Sequence, residues 1–107
     1  MGLFDFLMQP DIHQLLEEYA ASPGAILMDV RTPQEYQDGH IPGSRNVPLY
    51  SLDEVDSLTN NKDTALYLYC HSGSRSRQAA SLLRQMGYTN AKNIGGIAAY
   101  SGKVEFS

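Results

Sequence analysis

The chain has a single cysteine, Cys70, and no tryptophan among its 107 residues. One cysteine excludes an internal disulfide and any multi-cysteine zinc site. It also leaves no resolving thiol, so whatever Cys70 acquires must leave to an outside acceptor. His13, His40 and His71 show no ligand spacing, and neither a metal nor a cofactor is expected. No apolar run approaches the roughly 20 residues of a membrane helix, so no membrane partner is expected. The first residues lack a basic region and include Asp5, which makes a poor signal peptide. Phe6 stands where a myristoylation signal requires Ser or Thr. A reduced, cytoplasmic setting is the resulting expectation, and it suits a reactive thiol. Basic residues are in the minority, 8 Lys and Arg against 12 Asp and Glu, and the net charge of −4 argues against nucleic acid as a partner. No repeat, low-complexity segment or linker divides the chain, which reads as one domain over residues 1–107.

What is present centres on the run Tyr67 to Arg77. The apolar segment Ala65 to Tyr69 ends at Cys70, a short polar loop with Gly73 follows, and a helical pattern begins at once. Free cysteine has a pKa of about 8.5 and is mostly thiol at neutral pH. A helix N-terminus supplies unpaired N–H donors and partial positive charge, and successive loop amides converge on one anion. Arg75 and Arg77 add full charges, while Ser72, Ser74 and Ser76 add hydroxyls. Together these favour Cys70 as a thiolate nucleophile. A lone cysteine ending an apolar strand is otherwise a buried small hydrophobe, but such a residue needs no glycine, serines and arginine after it.

The rest of the chain alternates strand and helix patterns. Leu3 to Met8 reads as a first strand or a strap, and Pro10 suits a first helical turn. Ile12, Leu15, Leu16, Tyr19 and Ala20 share one helix face, stopped by Ser22-Pro23-Gly24, with His13 on the exposed side. Ala25 to Val30 reads as a buried parallel strand. Thr32, Pro33 and Glu35 form a compact helix start, with Glu35 as cap and ion-pair partner. Asp29 and Arg31 are assigned a salt-bridge or bracing role, and His40 a hydrogen-bonded structural one. Asn46-Val47-Pro48 reads as a short strand or an extended piece, and Ser51 with Glu54 repeats the capping-box spacing before a short helix. After the loop, Ala79, Ala80, Leu82, Leu83 and Met86 form a buried stripe that ends at Gly87. Ala91 to Ile94 is a further strand, and Gly95-Gly96 permits close backbone approach to the loop rather than nucleotide binding. This alternation implies an α/β fold with a mainly parallel sheet and helices on both faces, with Cys70 at a strand's carboxyl end.

Four motifs in order resemble the rhodanese (sulfurtransferase) family in its single-domain form. They are Leu27-Met28-Asp29-Val30-Arg31; Glu35-Tyr36 with Gly39 to Ser44 and Asn46-Val47-Pro48; Cys70 to Ser76; and Gly95-Gly96 with Tyr100. The match spans about residues 25 to 100. Tyr100 departs from the family, which often has tryptophan there. The resemblance implies a rhodanese fold and a persulfide on Cys70. It also makes His71, Ser72, Gly73, Ser74, Arg75 and Ser76 the substrate-binding loop. The implied activity moves a sulfane sulfur from a donor such as thiosulfate to cyanide, a cellular thiol or a protein acceptor. Arg75 is expected to brace the loop and its anion, and Arg77 and His71 to steer the donor. Two rivals are a non-catalytic interaction module on the same fold and a cysteine-dependent phosphatase. The phosphatase loop resembles C-x5-R, whereas Cys70 and Arg75 enclose four residues, a contour shorter by about 3.5 Å that suits one sulfur atom better than a phosphate.

Overall fold

The computed structural model describes residues 11–107. The readings of Leu3 to Met8 and of Pro10 lie outside those residues. The first described helix, α1 (Ile12–Ala20), starts behind Asp11, whose carboxylate accepts from Gln14 N–H while the Gln14 side chain accepts from Asp11 N–H. This reciprocal cap satisfies two donors that the helix leaves open.

Four parallel strands form the sheet: β1 (Ile26–Asp29), β2 (Arg45–Asn46), β3 (Leu66–Cys70) and β4 (Ala91–Gly96), in the order β2-β1-β3-β4. Between them run α2 (Pro33–Gln37), a 3₁₀ segment (Leu49–Ser57) and α3 (Ser74–Gln85). Every residue of β3 is buried, and its side chains alternate between two cores. Leu66, Leu68 and Cys70 pack with Met28, Val55, Ala79 and Leu83 beneath α3 and the 3₁₀ segment. Tyr67 and Tyr69 pack with Ile12, Leu27 and Ile94 beneath α1. Both faces are therefore covered, as a continuous apolar strand requires.

From β1 the chain moves to one side of the sheet, and from β3 to the other. The gap between the carboxyl ends of β1 and β3 is thus the topological switch point, where α/β sheets place ligands. Asp29 and Cys70 end these two strands.

Several expectations shift. Ser51 and Glu54 do not cap a helix start. The segment begins behind Pro48 without a side-chain cap, and Ser51 sits at an internal kink (φ −134°, ψ 36°). The buried stripe of α3 is Ser76, Ala79, Ala80 and Leu83, whereas Leu82 and Met86 are exposed. The helix is rotated so that Ser76, not Met86, completes the inner face. Its end follows expectation: Gly87 takes a positive φ, Tyr88 N–H bonds Leu83 O, and Gly87 N–H bonds Arg84 O. β4 runs two residues further than Ile94 and takes in both glycines. His13 is not free surface. It stacks on Tyr100 and accepts a hydrogen bond from Ser101 N–H at 3.1 Å, tying the tail to α1.

Candidate active site

Cys70 closes β3, and the loop 71–73 leads directly into α3. Gly73 precedes the first helical residue with φ 104°, a conformation open to glycine, and offers no side chain to cap the helix. The sulfur takes that place. Gly73 N–H donates to Sγ at 3.0 Å and the Ser76 hydroxyl approaches at 3.4 Å. The side chain is fully buried against the apolar core, so its environment is mixed: hydrocarbon behind, amides in front. Burial pushes the thiol pKa up. The Ser76 hydroxyl and the amides of Ser76, Gly73 and Ser72 pull it down further, and the net displacement is downward.

The loop is shaped from behind by β4. Leu68 pairs with Asn93 and Tyr69 with Gly95, so β4 bulges by one residue there. The bulge brings Gly96 against the loop, where a Cβ would lie 2.1 Å from His71 O. His71 O also accepts from Ala98 N–H at 3.0 Å. The double glycine serves close approach, as its sequence position suggests.

Arg75 pairs with a residue of α2. Its guanidinium donates to both oxygens of Glu35, at 2.8 and 2.9 Å. Glu35 in turn completes the cap of α2 by accepting from Thr32 N–H at 3.1 Å. Arg75 therefore braces the loop against α2, and the Cys70 charge is among those that raise its pKa. Beneath it, Arg31 donates to the Asp29 carboxylate (2.6 Å at its shortest) and to Gly39 O (2.7 Å), all three residues being buried. His40 is buried, stacks on Tyr36 at 3.7 Å and meets Tyr36 O through Nδ1 at 2.9 Å, a structural role.

Of the loop residues read from sequence, Cys70, Gly73 and Ser76 converge on one another, and the Ser72 amide joins them. His71 and Ser74 have exposed side chains on the rim. Arg77 is exposed and, among the described residues, forms no ion pair; with Ser72, Ser74 and Asn93 it lines an open recess beside the loop. A second recess of about 200 Å³, lined by Val30, Thr32, Leu49, Tyr50 and Arg75, flanks the other side. Sequence reasoning does not single out Asn93, whose side chain bonds the loop from β4. No motif marks an asparagine at that position, and only the strand pairing places it there. Among the described residues no cluster of His, Cys, Asp or Glu could hold a metal ion, and no helix is long and apolar enough to cross a membrane.

A model of the rhodanese-like domain matches residues 11–103. A sulfurtransferase of Allochromatium vinosum is 36% identical over 92 residues, covering 85% of each chain. The thiosulfate sulfurtransferase PspE of Escherichia coli is 38% identical over 71 residues, covering 65% of this chain and 68% of its own. Coverage of relatives is uneven: the chain spans only 27% of the adenylyltransferase and sulfurtransferase uba4 of Ogataea parapolymorpha, with 32% identity. A solved structure described as rhodanese with anions from E. coli superposes with a TM-score of 0.72 at 31% identity, covering 78% of this chain and 99% of that one.

Proposed function

This chain belongs to the rhodanese-like domain family, and on that premise we propose that it is a sulfurtransferase working through a persulfide on Cys70. The observation that carries the proposal is the sulfur itself, capping α3 and held by Gly73 N–H at 3.0 Å. An anionic sulfur there gains amide donors aimed before the reaction begins.

The Cys70 thiolate attacks the outer sulfur of a donor such as thiosulfate. A new S–S bond forms, the donor's own S–S bond breaks, and sulfite leaves with the electron pair. The enzyme then carries Cys70–S–S⁻. An acceptor thiolate or cyanide attacks the terminal sulfur, and Cys70 leaves as thiolate, ready for a second cycle. The two half-reactions give ping-pong kinetics. With no second cysteine in the chain, the acceptor is external, either a small thiol or a protein sulfur carrier in a reducing compartment such as the cytoplasm. Rim residues His71, Ser72 and Ser74 meet the donor, and Arg77 attracts its negative charge. The phosphatase reading loses support, because the loop from Cys70 to Arg75 is one residue shorter than C-x5-R and the Arg75 guanidinium is paired with Glu35.

Intact mass after treatment with thiosulfate tests the proposal. The expected gain is one sulfur atom on the wild type and none on Cys70→Ala. Wild type with no added sulfur, from thiosulfate or from an organic persulfide, overturns it and leaves the interaction-module reading.

A further inference from the structure

The Ser76 hydroxyl is fully buried and has one proton, yet four acceptors surround it. They are Asn93 Oδ1 at 2.7 Å, Gly73 O at 3.2 Å, Gly95 O at 3.3 Å and Cys70 Sγ at 3.4 Å. The orientation of the Asn93 amide is fixed by its other partners. Gly95 N–H donates at 2.9 Å, so that atom is the oxygen, and Gly73 O accepts at 3.2 Å, so the other is the nitrogen. Ser76 thus faces a carbonyl oxygen that can only accept. At 2.7 Å the hydroxyl must donate to it.

This arrangement has a consequence for the sulfur. While the Ser76 proton rests on Asn93, Ser76 presents a lone pair toward Cys70, which suits a thiol S–H. A thiolate needs the opposite: the hydroxyl must rotate and give up its short bond to Asn93. We propose that Asn93 is a positioning residue that acts through Ser76, competing with the Cys70 sulfur for the Ser76 proton and so setting how readily the thiol ionises.

The inference deepens the sulfurtransferase reading, since it concerns the same thiol, but its test does not depend on sulfur transfer. The charged and titratable groups gathered at this end of the sheet are Arg75 and the exposed Arg77 on α3, the exposed His71 of the loop, Glu35 on α2 paired with Arg75, and the Asp29–Arg31 pair at the end of β1. From β4, Lys92 pairs with Glu18 of α1 and lies over the Tyr67 ring, on the opposite face. Asn93 is therefore the polar side chain through which β4 reaches the sulfur, and it does so through Ser76.

The experiment is the pH dependence of Cys70 alkylation by iodoacetamide, in folded protein verified by circular dichroism. Asn93→Ala frees the Ser76 proton for the sulfur and lowers the midpoint, by about half a unit or more for one hydrogen bond redirected to the anion. Asn93→Asp offers a stronger acceptor and raises it. Both variants lose the bond to Gly73 O, and the new carboxylate of Asn93→Asp also raises the midpoint by its own charge, so only the part of each shift that Ser76→Ala removes is read as acting through Ser76. In a Ser76→Ala background the Asn93→Ala shift disappears. Midpoints moving in the same direction for both variants, or an Asn93→Ala shift that persists without Ser76, overturn the inference. Should Asn93→Ala fail to fold, the test is the part of the Asn93→Asp shift that Ser76→Ala removes; a shift of equal size with and without Ser76 overturns the inference. A normal alkylation pattern with no sulfur loading would count against the sulfurtransferase reading alone.

Discussion

Arg75 and Glu35 lie fork to fork, joining the first turn of α3 to the capped start of α2 across two hydrogen bonds of 2.8 and 2.9 Å. The Arg75 guanidinium, aided by Thr32, holds the Glu35 carboxyl down to about 2, against an ordinary value of 4.5. A depressed folded value means stabilisation that is complete above about 4.5 and is lost as pH falls toward 2. Both side chains are about one-third exposed, so the pair contributes about 1 kcal/mol at most. Glu35→Gln is expected to cost that amount in urea denaturation at pH 7, and only a small part of it at pH 2. The same change frees Arg75 and slows thiosulfate turnover by loosening the loop, which steady-state kinetics would register. An unchanged stability at pH 7 together with unchanged turnover would remove the bridge from the account.

Gly96 is required for space, not for backbone conformation. Its φ is −129°, open to any residue, but a Cβ there would collide with the His71 carbonyl at 2.1 Å and with Ser72 Cα at 2.6 Å. Both obstacles are backbone, so neither can swing aside. Gly96→Ala is expected to displace the loop, destabilise the fold by about 1–3 kcal/mol and cut sulfur loading at least tenfold. Thermal unfolding and intact mass give the two readouts.

The thiol itself offers a direct measurement. Amides and the Ser76 hydroxyl outweigh burial, so the alkylation midpoint of Cys70 is expected below that of the unfolded protein. Ser76→Ala removes one donor and raises that midpoint. A wild-type midpoint at or above that of an unfolded cysteine would mean that hydrocarbon, not the amides, governs the sulfur.

How far the sequence speaks depends on whether the partners are neighbours in the chain. Cys70, Gly73 and Ser76 are local, and their convergence follows from a strand running straight into a helix. Gly96 is distant, but a paired glycine announces close approach wherever it lands. Glu35 could be read as a cap with an ion-pair role, yet its partner, Arg75, lies 40 residues away and is set by sheet order. Asn93 carries no local signal, because its meaning comes from a bulge that pairing alone creates. The stripe of α3 misleads for a related reason. Leu82 and Met86 are apolar and correctly spaced, but the tight loop fixes the rotation of the helix and turns Ser76 inward. Ser51 matches the capping spacing, while Pro48 starts the segment earlier and spends Ser51 on a kink.

The buried pair under the loop yields the sharpest stability prediction. Asp29 has no exposed surface, and Arg31 serves it through Nε, Nη2 and its own backbone N–H. Nη2 also reaches Gly39 O, and Asn46 Nδ2 bonds the carbonyls of both Asp29 and Arg31, so β1, β2 and the turn after α2 meet at this point. Arg31→Met fills much of the same volume but leaves a carboxylate without its cation in a water-excluded place. Removing one partner of such a pair costs about 3–5 kcal/mol, and for a domain of this size the melting temperature is expected to fall by roughly 15 °C. Adding Asp29→Leu removes the stranded charge and should recover a large part of the loss, although the Arg31 amide and Gly39 carbonyl then lack partners. If the double variant melts no higher than Arg31→Met, the cost comes from the lost links to Gly39 and the chain after β1, and the unpaired carboxylate is not its source.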